Sequence, residues 1–210
     1  MPYYRCQPEA FPTAYLHNLR GGIQACRYFA ANNLNRDFIA TKGFSVVFTR
    51  SGQAEVGRQL PFFKPYLDRA LLPDCNAFYL NPLLLSQGSR VDPHIDRSLR
   101  SYCKTIDPPN QVSVLYVQVP ADLASGELVL QRGRQQVAQI RPQPGLLLHF
   151  QGDLTHSINA MVSAGRRLSL VCEQYALDDK NLLDIPEFLI ESTALANPPP
   201  GRVASTRTRR

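Results

Sequence analysis

The chain lacks any apolar run approaching the 18 or more residues that a membrane-spanning helix needs. Its opening stretch, MPYYRCQPEAFPTAYLHNL, has no uninterrupted apolar segment of the signal-peptide kind, so the expected setting is cytoplasmic. Paired cysteines are missing too. Cys6, Cys26, Cys75, Cys103 and Cys172 are odd in number, scattered and never in a CxxC spacing, which argues against a disulfide framework and a zinc site and predicts reduced thiols. No internal repeat, catalytic triad or activated nucleophile stands out. A strong basic surface is lacking as well. The formal charge is +6, but the last fourteen residues, NPPPGRVASTRTRR, hold four arginines and no acid, and without them the charge is +2. Nucleic acid is therefore not the expected partner, because phosphate binding needs charge clustered on a folded face.

What is present suits one soluble domain. At 210 residues, 44% hydrophobic and 19% charged, the chain can bury a core without staples. In the first forty residues a helix is expected within 19–32, despite Gly21 and Gly22. Residues 43–49 (GFSVVFT) read as a strand, and 61–72 as a short amphipathic helix, with Phe62, Phe63, Tyr66, Leu67, Ala70 and Leu71 near helical spacing. From Ala77 onward short apolar runs recur between turn residues: 77–85, 90–96, 111–119, 126–131, 135–141, 145–151, 155–161 and 166–176. Eight strands at this spacing predict a mainly β fold, a jelly roll (double-stranded β-helix) with room for a ligand between its sheets. The expected organisation is an N-terminal helical or mixed extension at 1–76, a jelly-roll core at 77–177, a C-terminal helical segment at 178–196 with a helix at 186–195, and a disordered basic tail at 197–210 beyond a Pro-rich boundary.

The chemistry-bearing pattern lies inside the eight strands. His94 and Asp96 stand two apart in a strand, so the period of two puts both side chains on one face. A second imidazole from another strand completes two His and one carboxylate, a set that holds one face of an octahedral metal and leaves the opposite positions open. His156 is the natural third member. The motif alone is not decisive, since a His-x-Asp pair arises by chance in roughly one such chain in five. The segment after His156, HSINAMVSAGRRLSLVCEQY, adds weight. It places Arg167, Ser169 and Val171 on one strand face and Leu168, Leu170 and Cys172 on the other. An Arg and a Ser on an inward face are costly unless an anion meets them, and a dicarboxylate does so through bidentate hydrogen bonds.

His94-Ile95-Asp96, then His156, then Gly165-x-Arg167-x-Ser169 resembles the iron(II) and 2-oxoglutarate dependent oxygenase superfamily, over roughly residues 77–175, with likeness to its prolyl-hydroxylase branch. The resemblance implies a dioxygenase whose iron(II) is held by His94, Asp96 and His156. It further implies 2-oxoglutarate as cosubstrate, bound to iron at one end and to Arg167 and Ser169 at the other, with O2 as oxidant and succinate and CO2 as products. Arg166 is the alternative anchor, standing ten residues from His156 where Arg167 stands eleven, and the Gly-x-Arg-x-Ser context favours Arg167. Tyr116 occupies the place of a tyrosine that joins this anchor in prolyl-hydroxylase-like members, or fills a barrel layer. Leu83 and Leu85 stand where nucleic-acid demethylases carry Asn-x-Tyr, which counts against demethylation. His149 is expected on a strand beside the site and His17 outside it. Arg97 and Arg100 belong to a solvated loop or meet an acidic group of the substrate. The substrate class stays open among a small molecule, an amino acid and a protein or peptide side chain. Two other readings stand beside this one: a cupin-like metal enzyme without 2-oxoglutarate, which would need more histidines, and a non-catalytic jelly-roll binding or assembly module.

Overall fold

The computed structural model describes residues 2–31 and 37–195, so the tail expected at 197–210 and the Asn32 end of the first expected helix lie outside the described residues. In chain order the elements are β1 (Tyr4–Gln7), α1 (Thr13–Ala25), β2 (Ala30–Ala31), β3 (Phe38–Ile39), β4 (Lys42–Gly43), β5 (Ser45–Thr49), α2 (Gln53–Gln59), α3 (Lys64–Ala70), β6 (Ala77–Leu85), β7 (Arg90–His94), β8 (Gln111–Gln118), β9 (Leu128–Arg132), β10 (Gln135–Ile140), β11 (Leu147–Gln151), β12 (Thr155–Ile158), β13 (Arg167–Tyr175), α4 (Asp179–Leu182) and β14 (Phe188–Glu191). They form two antiparallel sheets. The larger runs β1-β11-β8-β13-β6-β4-β2, with β5 also on β6 and β14 on β5; the smaller runs β10-β9-β12-β7-β3. Each of the eight core strands expected from the sequence is present, and the architecture is the jelly roll.

Two apolar layers sandwich the larger sheet. Between the sheets lie Val91, Val112, Val114, Leu128, Leu130, Leu148 and Phe150, drawn from both. On the outer face, Leu19 and Ile23 of α1 and Tyr66 and Leu67 of α3 pack against Leu80, Leu115, Leu147 and Leu170. Because successive residues of a strand face opposite ways, β13 serves both layers, sending Leu168, Leu170 and Cys172 outward to the helices and the intervening residues inward. One glycine of α1 has a steric reason. A Cβ on Gly22 would stand 2.5 Å from the Phe62 ring, so the close approach of α1 to the 3-10 turn at Pro61–Phe63 requires glycine there. Pro82 in the fully buried β6 is likewise tolerated, because it falls between the β6 residues paired to β4 (Leu83) and to β5 (Leu80), where no ladder N–H is needed.

One expectation is corrected. The helix placed at 186–195 is instead β14 followed by a 3-10 turn at Thr193–Leu195, while the short C-terminal helix is α4, capped by the Asp178 side chain accepting from the Asn181 N–H. Phe188 and Ile190 turn toward the core and Leu189 is 40% exposed, the alternation of a strand, and all four residues of β14 pair with β5. The N-terminal residues are also more extended than expected, since β1 to β5 add strands to both sheets. Among the described residues no helix is long and apolar enough to cross a membrane. All five cysteines are free.

Candidate metal centre and active-site cavity

β7 and β12 are neighbours in the smaller sheet, and their register sets His94 directly opposite His156. The ring centroids are 4.4 Å apart. Asp96 follows just past the end of β7 and turns back between them, with one carboxylate oxygen 3.2 Å from His94 Nε2 and the other 3.4 Å from His156 Nε2. The three side chains each offer one ligand atom, and these atoms lie within 4.8 Å of one another, a group that could hold a metal ion. Phe38 and Phe150 stand against the two imidazoles and keep the centre from opening sideways.

The proton arrangement fits a metal. His94 Nδ1 lies 2.8 Å from the Asp92 carbonyl and His156 Nδ1 lies 3.3 Å from the Leu154 carbonyl. A carbonyl only accepts, so each Nδ1 carries the proton and each Nε2 presents a lone pair to the centre. His94 Nε2 and Asp96 Oδ2 are buried without a hydrogen-bond partner. Converging acceptors with no donor between them repel unless a cation joins them. Acid–base behaviour agrees. Burial pushes the Asp96 carboxyl up, but the facing His156 and His94 rings together outweigh it and hold it below the carboxylate range. Burial pulls the His94 ring down, yet the Asp96 carboxylate 3.2 Å away leaves it raised, a proton competing for the place a metal would take.

An inner cavity extends from this trio between the sheets, walled by Leu83, Val112, Val114 and Leu128, to Arg167. Arg167 is 1% exposed, whereas Arg166 faces solvent. The Arg167 guanidinium donates to the Gly126 carbonyl and, at 3.3 Å, to Ser169 Oγ, and lies 4.9 Å from the centre of the Tyr116 ring. It has no carboxylate partner among the described residues. Burial lowers its affinity for its proton. The Tyr116 hydroxyl, also buried, is unpartnered. The cluster expected from the sequence thus comes together: three acceptors at one end of a narrow apolar cavity, and at the other a guanidinium that is itself in contact with Ser169 and Tyr116.

Three expectations are refined. His149 lies on β11 but turns to the face opposite the trio, its Nδ1 2.7 Å from Gln111 Nε2. Leu148 and Phe150 take the inward positions on either side of it. Burial and the Arg5 charge push His149 down to about 4. His17 is exposed on α1. Of the two loop arginines, Arg97 borders the site, while Arg100 is tied to the Ile106 carbonyl at 2.8 Å.

Sequence reasoning missed an outer cavity of about 390 Å³ on the other side of the trio. Tyr79, Asn81, Ser98, Glu173 and Glu191 line it. Glu173 is 3% exposed; burial, then the Asp96 charge, push its carboxyl up to about 8. The signal for Glu173 was present, since it stands four residues beyond Ser169 and so shares the inward face of β13.

No family model and no curated protein matches the chain. Among solved structures, a Pseudomonas putida prolyl-4-hydroxylase is 14% identical with a TM-score of 0.58, covering 85% of this chain and 95% of that one. A Trichoplax adhaerens prolyl hydroxylase, in complex with a hypoxia inducible factor oxygen degradation domain peptide fragment, is 14% identical with a TM-score of 0.57, covering 86% of each chain. HygX from Streptomyces hygroscopicus, with nickel and 2-oxoglutarate bound, is 12% identical with a TM-score of 0.51, covering 91% of this chain and 84% of that one. At these identities the likeness is one of fold: the chain has the jelly roll of prolyl hydroxylases and 2-oxoglutarate–iron(II) oxygenases.

Proposed function

We propose that the chain is an iron(II)- and 2-oxoglutarate-dependent dioxygenase that hydroxylates a small molecule, an amino acid or a protein side chain. The observation that carries this reading is the pair of ends of the inner cavity. His94 Nε2, His156 Nε2 and an Asp96 oxygen converge at one end, and the Arg167 guanidinium, without a carboxylate partner among the described residues, waits at the other. Iron held there supplies the oxidising chemistry, in which 2-oxoglutarate, O2 and a substrate C–H yield succinate, CO2 and the alcohol. The protein's own part is binding and exclusion. The carbonyls of Asp92 and Leu154 fix the imidazole orientation, and Arg167 with Ser169 and Tyr116 receives the far carboxylate. Apolar walls keep water from the cosubstrate chain. No side chain has to serve as an acid or base, in keeping with the lack of a nucleophile or triad.

A cupin-like site would call for a further imidazole, and the remaining strand histidine, His149, faces away from the trio. The peptide-bound Trichoplax relative in fold keeps a peptide substrate open beside a small molecule. Free thiols and an oxidation-prone iron(II) site suit the reducing cytoplasm. The test is anaerobic calorimetry of 2-oxoglutarate binding to iron(II)-loaded protein, followed in air by iron-dependent conversion of 2-oxoglutarate to succinate. Both are expected in the wild type. Asp96→Asn, which keeps the shape and removes the charge, should lose metal-dependent binding while melting cooperatively. Folded, metal-loaded wild type that ignores 2-oxoglutarate would sink the reading and leave a binding module.

A further inference from the structure

The outer cavity has an acidic wall with no buried cation to match it. Glu173 accepts hydrogen bonds from the Ser98 amide at 3.1 Å, from the Ser98 hydroxyl and from the Tyr175 hydroxyl. All three contacts are oriented as donors, the surroundings of a carboxylate, yet no Lys, Arg or His lies in ion-pair range of it among the described residues. Glu191 faces the same cavity; it accepts from the Tyr102 hydroxyl and likewise has no ion-pair partner among the described residues. Asn81 also lines the wall, is 8% exposed, and its Oδ1 accepts from nothing. The cation among the lining residues is Arg97, which is exposed, and the Asp96 charge belongs to the metal centre. A buried carboxyl without a counter-ion is pushed towards its neutral form, as Glu173 is, and a cation arriving with a ligand would draw it into the carboxylate that its three donors already suit.

We propose that the substrate enters this chamber with a cationic nitrogen, an ammonium or a guanidinium, received by the Glu173 carboxylate and shared with Glu191 and the Asn81 carbonyl oxygen. The assignment rests on the oxygenase reading for the identity of the site, and on Glu173 for its charge preference. Cationic donors fit the three acceptors, since Lys- and Arg-type groups carry three to five N–H donors and accept nothing. Acids are disfavoured by two carboxyl groups, and a neutral alcohol cannot make the charge-assisted hydrogen bonds of an ammonium or guanidinium, so the wall favours a cation over both. The volume of about 390 Å³ suits a group of amino-acid side-chain size, either free or presented by a peptide.

Anaerobic calorimetry of nickel-loaded protein, with and without 2-oxoglutarate, tests this directly. The cationic probes are cadaverine, agmatine and acetyl-Gly-Lys-Gly-amide; the controls are pentanediol, adipate and the Nε-acetylated form of the same peptide. At least one cation should bind about tenfold or more tightly than its controls. Glu173→Gln should remove that margin and Glu191→Gln reduce it. Preference for the diamines points to a free basic metabolite, and preference for the peptide to a basic side chain of a protein. Wild type that binds 2-oxoglutarate but shows no cation preference overturns the substrate class and leaves the oxygenase reading standing. So does a preference untouched by both variants. Cation binding that depends on Glu173 in protein deaf to 2-oxoglutarate would do the reverse, keeping the cation site and removing the oxygenase reading.

Discussion

Replacing Arg167 with methionine should make the empty protein more stable while destroying its response to 2-oxoglutarate. Arg167 is 1% exposed, and its protein contacts are a carbonyl, a hydroxyl and an aromatic face. A buried ion costs several kcal/mol after relaxation, taken here as about 5. Two hydrogen bonds at a net of about 1 kcal/mol each and a cation–π contact of about 1–2 kcal/mol recover most of it. The remainder, about 1–2 kcal/mol, is the expected gain for Arg167→Met, or roughly 2–8 °C in Tm at this chain length. Saturating 2-oxoglutarate reverses the order. At a hundred times its Kd a ligand stabilises the wild type by about 2.7 kcal/mol, more than the variant's gain. Loss of the Arg–carboxylate pair should weaken binding by about 2–5 kcal/mol; taken as about 4, it leaves the variant almost no stabilisation at that concentration. The assay is thermal and urea unfolding of nickel-loaded protein with and without 2-oxoglutarate. The melting curves of the two proteins should exchange places on adding ligand. Arg166→Met, at a solvent-facing position, should stay within about 0.5 kcal/mol and keep the full ligand response. An Arg167→Met protein destabilised by more than about 1 kcal/mol, or one that still responds to 2-oxoglutarate, would refute the claim that its charge waits for an anion.

Acid should also weaken the fold through His149. Its folded value is lowered from 6.5 to about 4, so its contribution is complete above 6.5 and is lost as pH falls through about 4. That gap is worth roughly 3 kcal/mol, which solvent screening reduces to about 2. Urea midpoints across this window should drop less steeply in His149→Gln than in the wild type, and parallel slopes would rule out the assignment. Gly126 holds φ at +103°, and a Cβ there would meet the Met161 sulfur at 2.5 Å, so Gly126→Ala should cost about 2 kcal/mol. Since its carbonyl anchors the Arg167 guanidinium, the same change should raise the Kd for 2-oxoglutarate; an unaltered Kd in folded variant would show that the anchor does not depend on that carbonyl.

What could be read from the chain and what could not divides along burial patterns. The eight core strands were legible because each apolar run is closed by turn residues, and β13 was legible in phase because polar Arg167 and Ser169 mark one face against Leu168 and Leu170. His149 was not, since its run, Leu146 to Phe150, is buried on both faces and shows no alternation. β1 has every residue exposed, and α2 buries only Val56, so neither has an apolar stripe to detect. β14 is four residues long and follows a proline, too short for its alternation to outweigh helical spacing. The inward phase of Glu173 was legible from β13, but Asn81 joins it at the outer cavity through tertiary pairing, with Val171 opposite Asn81 across β13 and β6, and a pairing of strands ninety residues apart leaves no local trace.

The alternation of β13 makes a sharper claim about function. Its inward residues meet the cavities in order, Arg167 at the inner end, Val171 bordering both, Glu173 at the outer chamber. One strand therefore runs past both cavities, and on the proposed reading it sets the order of cosubstrate, metal and substrate along the barrel. Its outward residues Leu168, Leu170 and Cys172 only pack against the helical layer. Neighbouring positions should then fail in different ways. Leu170→Ala deletes a fully buried side chain and should cost about 2–5 kcal/mol of stability while the folded fraction keeps its 2-oxoglutarate affinity. Ser169→Ala, one residue away, removes a hydroxyl that accepts from Arg167 and should cost little more than about 1 kcal/mol in stability, yet weaken 2-oxoglutarate by roughly three- to tenfold. Both are measured by urea unfolding and by calorimetry at a temperature where each variant is folded. If Leu170→Ala shifted the 2-oxoglutarate Kd as much as Ser169→Ala does, the separation of packing from binding along this strand would be wrong, and the barrel would have to transmit strain from its helical face to the site.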